Sequence, residues 1–95
     1  MGNLNVQDYV SSIKKIAKEH GATNLRVFGS CARGEAGPAS DLDLLIDLEA
    51  GRDLLDLIGL KQDLEEIIGR EVDVVTEKSL SPHIRQQIIS EARPL

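Results

Sequence analysis

The run Asp41-Leu42-Asp43-Leu44-Leu45-Ile46-Asp47-Leu48 constrains this chain most. Its alternation has the period of a β-strand and fits no helix. Leu42, Leu44, Ile46 and Leu48 fall on one face, which reads as buried; Asp41, Asp43, Leu45 and Asp47 fall on the other. A strand needs a sheet to pair with and a layer to cover its apolar face. The rest of the sequence must supply both.

It does so with five further elements. Apolar residues recur at helical spacing over about 6–19, with Asn5 as the candidate N-cap and Gly21 as the stop. A short strand is expected at 25–28, ending on Gly29. Gly51 breaks the chain after the alternating run. Asp53 can then cap a helix over 54–68, closed by Gly69, with an apolar stripe of Leu54, Leu57, Ile58, Leu60, Leu64, Ile67 and Ile68. A third strand follows at 71–76, with Val72 and Val74 on one side and Asp73 and Val75 on the other. Ser81 as cap and Pro82 at the first helical position open a last helix to about residue 92. The expectation is one domain over 1–95: a small α/β (α+β) mixed sheet with flanking helices packed on one face.

The chemistry concentrates in few residues. Asp41 and Asp43 stand two apart on a strand, so both carboxylates leave one face with Cα atoms ~6.6 Å apart. Mg²⁺ takes oxygen ligands at ~2.1 Å, usually one or two carboxylates plus substrate phosphates. Like charges this close repel and call for a cation. Asp73 joins them if its strand pairs beside 42–48, and a third carboxylate can bind a second metal or take a proton from an attacking hydroxyl. Asp47 lies four residues beyond Asp43 and reads as surface. Gly29-Ser30 ends an apolar strand, where glycine admits close backbone approach to a phosphate and the following amides can donate to it. Arg33, three residues after Ser30, can reach a terminal phosphate or pair with Glu35.

Other chemistries are excluded. Gly29 and Gly34 have the spacing of a phosphate-binding P-loop, but Glu35 stands where its lysine belongs. Cys31 is the only cysteine, and His20 and His83 have no ligand set around them, so a zinc site is not expected. A net charge of −5, with Tyr9 and Phe28 the only aromatics, argues against binding nucleic acid. No apolar run reaches the ~20 residues of a membrane span, and no secretory leader is evident, so a cytoplasmic protein is expected.

Together, Gly29-Ser30, the eleven-residue step from Ser30 to Asp41, Asp41-Leu42-Asp43 and the later Asp73 resemble the DNA polymerase beta-like nucleotidyltransferase superfamily. The segment Val27-Phe28-Gly29-Ser30-Cys31-Ala32-Arg33-Gly34-Glu35 looks like its minimal branch, and the likeness covers nearly the whole chain. The resemblance implies a nucleotidyltransferase fold. Gly29, Ser30 and Arg33 would bind the nucleoside triphosphate, and Asp41, Asp43 and Asp73 would be the catalytic, Mg²⁺-binding carboxylates for two ions. It implies ATP as substrate and a HEPN-type toxin as partner, with AMP added to a tyrosine. Two alternatives stay open: an antitoxin that acts by binding alone, and transfer to a small molecule. Because the elements are needed to cover the sheet, the acceptor is expected to arrive on another molecule.

Overall fold

A computed structural model describes residues 9–29 and 42–95 of the chain. Helix α1 spans Val10–Glu19, strand β1 Ala22–Phe28, strand β2 Leu42–Leu48, helix α2 Leu54–Ile68 and strand β3 Val72–Thr76. A 3₁₀ turn, Glu77–Ser79, leads to helix α3, Pro82–Glu91, and a two-residue strand β4, Arg93–Pro94. The sheet order is β3-β2-β1-β4. Strand β2 runs parallel to β3, and β1 is antiparallel to both β2 and β4. The sheet is therefore mixed, as expected.

The alternating run forms β2 with the boundaries its pattern implies. Leu42, Leu44 and Ile46 are fully buried and pack with Val27 and Val72 of the neighbouring strands, Ile13, Ile16 and Ala17 of α1, and Leu60, Leu64 and Ile68 of α2. Each such side chain contributes about 1.5–3 kcal/mol relative to exposure. Helices α1 and α2 contact one another and the sheet, and so cover the same face.

Four expectations need correction. Leu45 is fully buried although it shares the face of Asp43. Its register neighbours are Arg26 and Val75, and Arg26 is held there by Asp47 at 3.4 Å and Glu77 at 3.3 Å. The second face of the sheet is therefore partly covered too. Strand β1 starts three residues early, at Ala22, because a bulge between Thr23 and Arg26 absorbs Asn24 at φ +50°. Asparagine tolerates that left-handed conformation, and its side chain donates to Asp47. The stripe of α2 is narrower than its apolar residues: Leu57, Leu60, Leu64 and Ile68 share an arc of roughly 80°, whereas Leu54, Ile58 and Ile67 flank it and are exposed. Finally, the Ser81 side chain makes no cap bond at α3. The Ser81 carbonyl accepts from the Ile84 and Arg85 amides instead. The candidate cap Asn5 lies outside the described residues.

The start of α2 is closed on both sides. The Asp53 carboxylate accepts from the Leu55 amide at 3.0 Å and the Asp56 amide at 3.4 Å. The Asp53 amide donates back to the Asp56 carboxylate at 3.1 Å, which holds that carboxyl below its usual range. Glycine in the left-handed conformation at Gly69 ends the helix. Asp53→Ala is expected to cost about 1 kcal/mol and to lower Tm by about 4–8 °C. Calorimetry checks this, and an unchanged Tm would show that the cap bonds contribute nothing net.

Candidate active site

The site grows from the point where β1 stops. Phe28 is in register with Asp43 on β2. The next residue, Gly29, turns the chain at φ +72°, a conformation that side-chain-bearing residues rarely adopt. A Cβ built on Gly29 would run into Oδ2 of Asp43. The backbone at the strand end and the Asp43 carboxylate are thus in direct contact, and a side chain at position 29 would push that carboxylate aside.

On its other side β2 pairs with β3, and the register partner of Asp43 is Asp73. Adjacent strands lie about 4.8 Å apart, and register partners project from the same face. The two carboxylates therefore rise side by side, Asp43 half-buried and Asp73 exposed. The start of this ladder is pinned by the Leu42 amide, which donates to the Glu71 carbonyl at 3.1 Å. Three of the six site residues read from the sequence, Gly29, Asp43 and Asp73, are brought together. Ser30, Arg33 and Asp41 lie outside the described residues, as does Cys31.

Two neighbouring carboxylates on a rigid ladder supply the hard oxygen donors that Mg²⁺ selects. Among the described residues no group of three His, Cys, Asp or Glu side chains gathers as a metal site. The donor set fits Mg²⁺ as a pair, to which Asp41 would be the third.

Lys61 of α2 is a cation beside this edge. Its ammonium is held protonated above the usual lysine range, first by its hydrogen bond to Glu65 and more weakly by the charges of Glu65, Asp73 and Glu71. The sequence shows a Lys-x-x-x-Glu pair here, but not that it reaches β3. Asp47, at the other end of β2, is engaged by Arg26 and Asn24, in keeping with a role outside the site. A cavity of about 630 Å³ also lies at that far end, lined by Asp47, Arg52, Thr76 and Arg85 among others. It does not touch Asp43 or Asp73. His20 caps α1 and bonds Asp63 at 2.7 Å; it takes no part in the site. Among the described residues no helix is long and apolar enough to cross a membrane.

Residues 10–95 match the family described as the nucleotidyltransferase domain. A candidate protein adenylyltransferase of Methanocaldococcus jannaschii is 40% identical over 89 residues, covering 94% of this chain and 96% of that protein. The protein adenylyltransferase MntA of Thermococcus cleftensis is 38% identical over 78 residues, covering 82% and 79%. Among solved structures, a candidate minimal nucleotidyltransferase superposes with a TM-score of 0.85 at 47% identity, over 95% of this chain and 92% of that one. Two others share the fold at lower identity. One is a toxin–antitoxin structure with AMP-PNP (TM-score 0.76, 23% identity, 88% and 69% covered). The other is a tri-AMPylated HEPN toxin of Shewanella oneidensis in complex with its MNT antitoxin (TM-score 0.70, 21%, 93% and 69%).

Proposed function

The chain belongs to the nucleotidyltransferase domain family and is a nucleotidyltransferase, and from that premise we propose that it transfers AMP from ATP to a tyrosine hydroxyl of a HEPN-class partner protein, as an antitoxin acting in the cytoplasm. One observation carries the site assignment: Asp43 stands in register with Asp73 while Gly29 presses against the Asp43 carboxylate. Protein adenylyltransferase relatives support AMP as the transferred group. The HEPN complex among the fold neighbours supports the partner class.

The roles follow from the chemistry of each group. Asp43 and Asp73, with Asp41, would hold two Mg²⁺ ions. Gly29 gives the triphosphate access to the backbone, and Ser30 and Arg33 would donate to its oxygens. The acceptor oxygen attacks the α-phosphorus from a distance of about 3–3.5 Å. Its bond to phosphorus forms as the bond to the bridging oxygen breaks, and pyrophosphate leaves. The hydroxyl proton passes to a carboxylate oxygen of Asp73. Bound Mg²⁺ supplies neutralisation of the charge on the triphosphate and on the leaving pyrophosphate.

Isotope position tests this directly. Incubation with a HEPN-class partner and Mg²⁺ should move label from α-labelled ATP onto the partner and leave γ-label in pyrophosphate. EDTA should abolish the transfer. Label arriving on the partner from the γ position would mean a kinase-type reaction and would refute the proposal.

A further inference from the structure

Among the described residues, strand β3 is the edge of the sheet next to β2. An edge strand carries a row of backbone groups with no strand to pair with. At Val72 those groups are taken by side chains of α2. The Val72 amide donates to Oε2 of Glu65 at 3.0 Å, and the Val72 carbonyl accepts from Nζ of Lys61 at 2.7 Å. Lys61 and Glu65 are joined to each other at 2.9 Å. The pair closes over one residue of the strand as a neighbouring strand would.

Helix α2 gains little from this pair on its own account. The order Lys then Glu at i,i+4 is the less favourable one on a helix, where Glu then Lys is preferred. Glu65 also lies in the C-terminal part of α2, the end where an acidic side chain opposes the helix dipole. The pair thus adds little to the helix and its acidic member opposes the dipole, so its main use lies across the gap, on β3. Val72 itself is fully buried in the core, and the next residue is Asp73. Holding both backbone groups of Val72 fixes where the following side chain leaves the sheet.

We propose that Lys61 and Glu65 are positioning residues for nucleotidyl transfer: by clamping the free edge of β3 at Val72, they set Asp73 beside Asp43. The proposal rests on the reading of Asp73 as the third carboxylate. Misplacing a reacting group by 1 Å costs about 100-fold in rate, and release of one clamp bond should displace Asp73 by a fraction of that. Glu65→Ala should therefore lower kcat about tenfold while KM for ATP stays within about twofold. Glu65→Gln keeps a carbonyl to accept from the Val72 amide and should recover most of the rate. Lys61→Met, which keeps the stem and loses the donor, should lower kcat in the same sense.

The test uses the full chain with its HEPN-class partner, assayed at a temperature where every variant is folded. It pairs kcat and KM with hydrogen exchange at the Val72 amide. The expected result is faster Val72 exchange and lower kcat in Glu65→Ala, both reversed in Glu65→Gln. Faster exchange with unchanged kcat would overturn the proposal, because the clamp would then be structural only. Adding Glu65→Ala to Asp73→Asn should cost nothing further, since the two act through one group; an added loss would overturn it as well. Full activity in Asp73→Asn alone would remove the underlying reading, and that outcome is distinct from a failed clamp.

Discussion

Asp43→Asn is expected to lower nucleotidyl transfer by on the order of 100-fold or more, comparable to loss of a central electrostatic stabiliser, while the protein stays folded. Among the described residues, Asp43 links the other two parts of the site: Gly29 lies against its Oδ2, and Asp73 is its register partner. Asparagine keeps the volume and removes the negative charge that a divalent cation needs. The buried face of β2, built from Leu42, Leu44 and Ile46, is on the opposite side and is untouched. Removing one of two adjacent like charges relieves repulsion, which offsets the contacts the Asp43 carboxylate gives up, so Tm should hold. Label transfer and calorimetry on the same sample check both halves. Wild-type transfer rates under Mg²⁺ would place the site elsewhere.

Gly29→Ala is expected to lower transfer by at least tenfold, through two separable effects. The first is strain: an alanine at φ +72° costs roughly 1–2 kcal/mol. The second is local: the new Cβ would strike the Asp43 carboxylate, which must shift, and shifts of this kind are expensive in rate. Gly69→Ala is the matched control. It also lies at positive φ, +79°, but nothing lies within 4 Å of its Cβ position. It should therefore show the stability loss alone, with transfer unchanged. Measured well below both melting temperatures, the two variants separate strain from collision. If Gly29→Ala transfers as well as Gly69→Ala, the contact between Gly29 and Asp43 has no catalytic weight.

Much of this was legible from spacing. The alternation of 42–48 specifies both the strand and its buried face, and Asp53 and Gly69 bracket α2 because each meets a local backbone requirement. The parity that puts Asp73 opposite Val72 and Val74 also holds. What spacing cannot supply is the pairing: that β3 lies beside β2, in parallel and with Asp73 level with Asp43, is a property of the assembled sheet. The clamp of Lys61 and Glu65 was hidden for the same reason, since it depends on β3 being an edge. Strand β4 escaped because two residues, one of them proline, carry no period. Leu45 misled because alternation marks one buried face, whereas β2 is central and partly covered on both. Leu54 and Ile58 misled in the opposite sense, being apolar but outside the arc of α2 that packs on the core.

The central claim is that this chain modifies its partner rather than only holding it. Intact-protein mass spectrometry of a HEPN-class partner, after incubation with the chain, ATP and Mg²⁺, tests it most directly. The account predicts that the partner gains one or more adenylyl units, localised by fragmentation to a tyrosine. It predicts no gain with EDTA or with Asp43→Asn. A stable complex whose partner keeps its unmodified mass with the wild-type chain would contradict it and leave an antitoxin that acts by binding alone.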